Sequence, residues 1–206
     1  MCFIDGPLTA IRGADERRYY LCGHCSLIFA DEEHYLPIEQ EKAHYETHEN
    51  SIENSGYVSF LNRLVEPMLP CLNGGMRGLD YGCGPGPTLS LMMKRQGIEC
   101  GDYDPLFVDR KPQPPYDFIT ATECFEHFQR PAREMEYIAS LLGPGGLLGI
   151  MTERWTSTAA FAGWYYTRDP THVSFYHEKT FEFLCRRFGF SRVWMDDRQV
   201  IILRRD

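Results

Sequence analysis

From residue 77 onward, short apolar runs alternate with stretches of helical periodicity, and this alternation most constrains the fold. The apolar runs at 78–81, 98–103, 118–122 and 147–152 predict strands. Strands that alternate with helices form a mostly parallel sheet covered on both faces, and ligands bind where such strands end. The residues that directly follow each strand are therefore the first candidates for a functional site.

The predicted helices are recognised by apolar residues that recur on one face and by a glycine or proline that stops them. They cover residues 57–68, 88–95, 135–142 and 181–188. Two further apolar segments, 190–195 and 199–203, follow the last helix and predict a closing hairpin. We therefore expect one α/β domain over residues 51–206.

Charge and composition exclude several classes of function. The 206 residues carry a formal net charge of −8, and ten acidic against four basic residues in positions 1–50 supply most of it. A surface for duplex nucleic acid shows the opposite balance, so we expect no nucleic-acid partner. No apolar run reaches the roughly 20 residues of a membrane helix, and most of the eight cysteines sit singly in apolar segments. This pattern predicts reduced thiols and a cytoplasmic protein without a membrane partner.

A glycine-rich turn, Asp80–Gly86, follows the first strand. Its G-x-G-x-G spacing differs from the G-x-G-x-x-G of dinucleotide sites, and Pro85 and Pro87 each remove an amide donor that a pyrophosphate would need. Asp80 also places a carboxylate in the turn. This combination favours a ligand with a cationic end and no phosphate.

Asp104 follows the second strand, 18 residues beyond Gly86. This is about where an acidic side chain reaches the ribose hydroxyls in nucleoside-binding sheets. An aspartate before a proline is also common in turns, so a purely structural role stays open.

Four motifs, in order, resemble those of class I S-adenosylmethionine (SAM)-dependent methyltransferases. Residues 79–86 resemble the first motif of that family, and residues 103–105 resemble the second. Residues 116–131 are similar to a stretch of the ubiquinone and menaquinone methylase branch. Residues 142–146 resemble the L-x-P-G-G turn before the fifth strand of that fold.

The resemblance implies a doubly wound, mostly parallel, seven-stranded Rossmann-like sheet. A small N-terminal appendage would occupy residues 1–50, ahead of the methyltransferase domain. Only eleven residues separate Asp104 from Tyr116, where the family has a helix and a third strand. We therefore expect that element to be degenerate or very short.

The resemblance also implies a set of SAM-binding residues at the ends of three strands. The set comprises Asp80, Gly82, Cys83, Gly84, Gly86, Tyr103, Asp104, Thr122 and Glu123. The residues of the glycine turn would hold the methionine part of SAM. The residues at the end of the second strand would hold the ribose and adenine, and the residues at the end of the third strand would lie beside the sulfonium. Residues 45–50 resemble a segment that would fold over the cofactor. The alternative for the site residues is a role in packing or helix capping, and the alternative for residues 45–50 is a solvated helix start.

Methyl transfer from a sulfonium needs alignment, and it needs a base only where the acceptor carries a proton. His172 and His127 are the candidate catalytic residues, and the preceding Glu126 would orient His127. The acceptor is expected to be a small molecule methylated at oxygen. A structural loop histidine at position 127 and an aromatic core around His172 are the alternatives.

Cys22-Gly-His-Cys25 is a single C-x-x-C knuckle near the start of the chain. It resembles part of the zinc ribbon that precedes the catalytic domain in some sugar methyltransferases. Structural zinc needs four ligands. The weak candidates are Cys2, Cys22, Cys25 and either Asp5 or His24. The preferred alternative is a degenerate ribbon that folds without metal.

Two other functions stay open at this point. A nicotinamide-dependent oxidoreductase has a related sheet, although the glycine spacing and Asp80 argue against it. A non-catalytic module that keeps the fold is favoured by the short segment after Asp104.

Overall fold

A computed structural model of the chain describes residues 6–47 and 50–206. Its strands are β1 (Leu8–Arg12), β2 (Arg18–Cys22), β3 (Ile28–Ala30), β4 (Arg77–Tyr81), β5 (Glu99–Tyr103), β6 (Tyr116–Thr122), β7 (Leu142–Met151), β8 (Ser174–Phe175), β9 (Phe190–Met195) and β10 (Val200–Arg205). Its α-helices are α1 (Ile38–Tyr45), α2 (Ser55–Met68), α3 (Thr88–Arg95), α4 (Pro131–Leu141), α5 (Thr158–Phe161) and α6 (Glu178–Phe188). Single 3₁₀ turns cover Glu32–His34, Leu69–Cys71, Phe125–His127 and Tyr165–Arg168. None of these helices is long and apolar enough to cross a membrane.

The central sheet has six strands in the order β5-β4-β6-β7-β10-β9. The first four are parallel, and the predicted closing hairpin adds β10 and β9 in antiparallel pairing. The mostly parallel α/β fold is confirmed, but the count of seven strands is wrong. Residues 104–115 form no strand, because prolines at 112, 114 and 115 remove the amide donors that a strand ladder needs.

Helices cover both faces of this sheet. On one face, Leu64 of α2 and Met93 of α3 pack with Phe118 of β6 in one apolar cluster. On the other face, Met135 of α4 and Leu184 of α6 pack against the opposite side of the same strands. Each parallel strand is therefore buried on both sides, and its carboxyl end is the part left open to a ligand.

The N-terminal segment forms a second, antiparallel sheet in the order β1-β2-β3-β8. Its last strand comes from late in the chain, because Ile28 and Phe29 pair with Phe175 and Ser174. The ring of Tyr19 packs edge-on against Phe161 and Phe175. The segment is thus built into the same body as residues 158–175, and the domain boundary at residue 50 stays a prediction.

Arg17 connects this second sheet to the loop that carries His172. Its guanidinium donates hydrogen bonds to the backbone carbonyls of Thr167, Asp169, Pro170 and His172, with lengths of 3.1, 3.2 and 2.9 Å for the last three. One planar side chain with five donors can satisfy several carbonyls at once, which a lysine cannot do in the same geometry. The loop over 167–172 is therefore fixed from the N-terminal sheet.

We predict that Arg17→Met destabilises the protein by about 1–3 kcal/mol, because the loop carbonyls lose their donor. In thermal unfolding, this loss corresponds to a fall in Tm of several degrees for a chain of this size. Arg12→Met, at an exposed position of β1, is the matched control and should unfold like the wild type. Equal Tm values for all three proteins would contradict the role of Arg17.

Candidate active site

A cavity of about 1000 Å³ lies at the carboxyl ends of β4, β5 and β6. The turns after these strands form one side of the cavity, and α1 with residues 165–172 forms another. Of the predicted site residues, those lining it are Asp80, Gly82, Cys83, Gly84, Gly86, Asp104, Thr122, Glu123, His127 and His172. Two predicted residues are not in the lining, namely Glu126 and Tyr103. The sheet topology thus brings together side chains that are up to 92 positions apart in the sequence.

The glycines of the turn are required by its geometry. Gly82 has φ +77° and Gly84 has φ +63°, which L side chains rarely adopt. A Cβ on Gly82 would lie 2.7 Å from the Cβ of Cys124. A Cβ on Gly86 would lie 2.1 Å from the backbone oxygen of Asn50. The segment before α2 therefore touches the turn, as expected for a segment that folds over the cofactor; His48 and Glu49 of that segment lie outside the described residues.

Asp80 is a buried carboxylic acid at the floor of the cavity, 2% exposed. The Thr120 hydroxyl donates a hydrogen bond of 2.9 Å to its Oδ1. The pKa of Asp80 is raised to about 7, mainly by burial; the Thr120 hydrogen bond lowers it, and the nearby acids Asp102 and Asp104 contribute to the rise. Asp102 itself has a buried oxygen, Oδ1, with no hydrogen-bond partner among the described residues. This end of the cavity is therefore suited to a cation.

Asp104 stabilises the glycine turn through hydrogen bonds to its backbone. Its two carboxylate oxygens accept hydrogen bonds from the backbone N–H groups of Gly84 (3.0 Å) and Leu106 (2.8 Å). Each carboxylate oxygen has a second lone pair, so a ribose hydroxyl can still donate to it. Tyr103 is not in the lining; its ring packs 5.2 Å from that of Tyr81, which is.

Thr122 and Glu123 end β6 at the centre of the cavity. Glu123 has the left-handed φ of +47°, which a glutamate seldom adopts without a compensating constraint. Its N–H donates to the Met151 carbonyl at 2.8 Å, while its Oε1 is buried without a partner among the described residues. Burial and the nearby carboxylates Glu126 and Glu153 raise the pKa of Glu123 well above its usual value.

Glu126, His127 and His172 form a compact group, of which the two histidines line the cavity and Glu126 lies behind them. The rings of the two histidines are 4.9 Å apart. Glu126, fully buried, accepts hydrogen bonds from the hydroxyls of Tyr166 (2.6 Å) and Thr152 (2.8 Å). Burial lowers the pKa of His172, so its ring is neutral near pH 7. A neutral imidazole beside a fixed carboxylate is equipped to take a proton.

Sequence reasoning missed two side chains that hold this group in place. His44 of α1 lies with its Nε2 3.3 Å from Oδ2 of Asp169, and Asp169 Oδ2 in turn lies 3.8 Å from Nε2 of His172. Arg17 fixes the same loop through its carbonyls. Neither contact leaves a local sequence signal, because each joins residues more than 100 positions apart.

The zinc prediction finds no support. Cys22 and Cys25 are buried in the apolar cluster that also contains Leu27 and Phe29, and Cys2 and Asp5 lie outside the described residues. Within residues 6–47 and 50–206, the group of three metal-ligating side chains that comes together is Glu126, His127 and His172, and none forms on the two cysteines.

Comparisons with known proteins agree with this geometry. The chain is similar in structure to a complex between the Haloferax volcanii Trm112 methyltransferase activator and a methyltransferase (17% identity, TM-score 0.57, covering 76% of this chain and 79% of that one). It is also similar to the magnesium protoporphyrin IX methyltransferase of Synechocystis PCC 6803 with bound S-adenosylhomocysteine (15% identity, TM-score 0.54, covering 83% of this chain and 89% of that one). A SAM-dependent methyltransferase from Archaeoglobus fulgidus is also similar, with 17% identity and a TM-score of 0.52, covering 72% of this chain and 99% of that one. No curated protein matches the sequence.

These similarities define the fold as that of class I methyltransferases. A family model described as "Methyltransferase domain" matches residues 53–193. The chain therefore belongs to this methyltransferase family, and the prediction of a SAM-dependent enzyme is confirmed. The nicotinamide-dependent alternative is set aside by the same match.

We predict that Gly82→Ala costs at least about 1–2 kcal/mol, because a left-handed backbone is unfavourable for alanine and its Cβ would meet Cys124. Chemical denaturation measures the loss. Gly163→Ala is the matched control, because a Cβ there has no heavy atom within 4 Å, and it should stay within about 0.5 kcal/mol of wild type. A Gly82→Ala protein as stable as the control would show that the turn is not strained.

Proposed function

We propose that the enzyme transfers the methyl group of SAM to an oxygen of a small-molecule acceptor. One observation carries the proposal: a single cavity is lined both by the acidic glycine turn and by His127 and His172, which are grouped with the buried Glu126. SAM, when bound, supplies an activated methyl on a sulfonium. The protein's task is then to hold two partners in line and to exclude water.

The residues after β4 and β5 fit the amino-acid and ribose parts of SAM. Asp80 would accept a hydrogen bond from the ammonium, because its carboxyl is buried beside two further acids and has no ion-pair partner among the described residues. Asp104 would accept hydrogen bonds from the ribose hydroxyls, through the oxygen lone pairs that do not bind the N–H groups of Gly84 and Leu106. The orphaned oxygen of Asp102 adds negative potential behind both groups.

Glu123 would face the sulfonium. A buried carboxyl with an unpartnered oxygen is costly unless a cation or a proton satisfies it. The strained backbone keeps Glu123 at the end of β6, between the cofactor residues and Glu126. A bound sulfonium would favour the ionised form of Glu123 over the neutral form that burial favours, and that carboxylate would attract the positively charged donor more strongly than the neutral thioether that remains after transfer.

At the acceptor end, His172 and His127 would contact the nucleophilic oxygen. The Nδ1 of His172 donates to the Tyr166 carbonyl at 2.8 Å and that of His127 to the Thr171 carbonyl at 3.1 Å. Because a carbonyl only accepts, Nδ1 carries the hydrogen in both rings, and the lone pair of each neutral ring is on Nε2. The group can therefore accept, rather than donate, at the acceptor oxygen.

We predict that the affinity for S-adenosylhomocysteine (SAH) falls as the pH is lowered through about 7. Its ammonium stays charged over this range, whereas protonation of Asp80 removes the negative partner. The loss approaches about tenfold per pH unit below that pKa. Isothermal titration calorimetry between pH 6 and pH 8.5 measures it.

Asp80→Asn should bind SAH about 10–100-fold more weakly at pH 8, because a charged hydrogen bond is lost, and it should show a flatter pH profile. Asp197→Asn, at an exposed position, is the matched control and should keep the wild-type affinity and pH profile. An Asp80→Asn protein with unchanged affinity and profile would refute the role of Asp80.

We predict that His172→Gln lowers turnover by about 10²–10⁴-fold, the usual contribution of a positioned base, while SAH binding is retained. Conversion of methyl-labelled SAM to SAH, with a low-molecular-weight cell extract as the source of acceptor, measures turnover. His177→Gln is the control, because His177 caps α6 outside the cavity. Wild-type turnover in the His172 variant would remove His172 from the mechanism.

A further inference from the structure

Two histidines and one carboxylate converge at the acceptor end of the cavity. Glu126, His127 and His172 each offer one ligand atom, and these atoms all lie within 4.8 Å of one another. Metal–ligand bonds of about 2.0–2.2 Å place the ligands of one ion at most about 4.4 Å apart. A small adjustment of the side chains is therefore enough to bring all three onto one ion.

The hydrogen bonds behind the two histidines are those of metal ligands. Both rings donate Nδ1–H to a backbone carbonyl, of Thr171 for His127 and of Tyr166 for His172. In metalloproteins the ligating histidine almost always uses its other ring nitrogen in this way, which fixes the tautomer and the ring orientation. Glu126 is oriented likewise, because the Tyr166 and Thr152 hydroxyls donate to its two oxygens.

The charge of the surroundings also favours a cation. No lysine or arginine within residues 6–47 and 50–206 forms an ion pair with Glu123 or Glu126, although Glu126 is fully buried and so is the Oε1 atom of Glu123. The Tyr166 hydroxyl lies 2.6 Å from Glu126 Oε1 and 3.3 Å from Glu123 Oε2, and it has only one hydrogen to give. The Tyr166 hydroxyl can therefore donate to only one of the two carboxyls at a time, and the other has no positively charged group paired with it among the described residues.

We infer that Glu126, His127 and His172 form a binding site for one first-row divalent metal ion, with open positions that face the acceptor. Imidazole and carboxylate ligands together select ions such as Zn²⁺, Mn²⁺, Fe²⁺ or Co²⁺ over Ca²⁺ and Mg²⁺, which prefer oxygen alone. An ion there would occupy the Nε2 lone pairs of the two histidines. In the metal-bound protein the ion, rather than His172 as a base, would therefore bind the acceptor oxygen and increase its acidity. This role in the reaction, although not the binding itself, rests on the proposed function.

Titration of the untagged, metal-free full chain with Co²⁺, followed by visible absorption, tests the inference. We expect one equivalent to bind with the weak d–d bands of nitrogen and oxygen ligands and without a thiolate-to-cobalt charge-transfer band. His127→Gln and His172→Gln should each weaken Co²⁺ binding at least about tenfold. His24→Gln, beside the two N-terminal cysteines, is the matched control and should bind as the wild type does.

His127 is only partly buried, so its variant keeps the test valid if His172→Gln fails to fold. Unchanged Co²⁺ affinity in His127→Gln would overturn the site, as would a thiolate band, which places the ion on Cys22 and Cys25. SAH titrations of the same samples separate the two proposals. Binding of SAH without a Co²⁺ site refutes only the metal inference, whereas Co²⁺ binding without SAH binding refutes only the proposed function.

Discussion

Carboxyl groups that the backbone holds in the interior, with no ion-pair partner among residues 6–47 and 50–206, shape the whole active-site region. Asp80 lies in a central strand, paired on both sides with β5 and β6, and Glu123 is fixed by its bond to Met151 and its left-handed backbone. The position of Asp80 in the sheet and the backbone conformation of Glu123 thus keep both residues in the lining of the cavity. Burial of these acids therefore destabilises the folded protein. A ligand with a positive charge would relieve part of this destabilisation, and the relief would contribute to its binding free energy.

The proposed division of the cavity follows from this constraint. In that proposal, acids at the ends of β4 and β5 would contact the ammonium and ribose of SAM, and Glu123 would face the positive charge that disappears when the methyl leaves. Differential attraction of the charged donor over the neutral product would aid exchange of SAH for fresh SAM. Selectivity of this kind depends on charge alone, so it requires no movement of the strands.

Local chemistry explains which features the sequence could predict. Gly82 and Gly84 were recognisable because glycine adopts their φ values without strain, and the loss of the third strand was visible in the short, proline-rich segment before Tyr116. The left-handed conformation of Glu123 was not predictable, because it is imposed by neighbouring strands against the residue's own preference. The pairing of β3 with β8 was missed for a similar reason: two short strands about 145 positions apart carry no signal of their partnership.

The wall facing the acceptor is assembled from parts that the cofactor turn does not touch. Arg17 fixes the loop over 167–172, and α1 places His44 against Asp169 and the ring of Tyr45 5.1 Å from that of His127. The sheet edge, in contrast, sets the position of Asp80 and the glycine turn by itself. Changes in the N-terminal sheet can therefore alter the space and polarity offered to an acceptor while the cofactor residues keep their geometry. Under the proposed function, acceptor selection would therefore depend on the N-terminal segment as well as on the methyltransferase core.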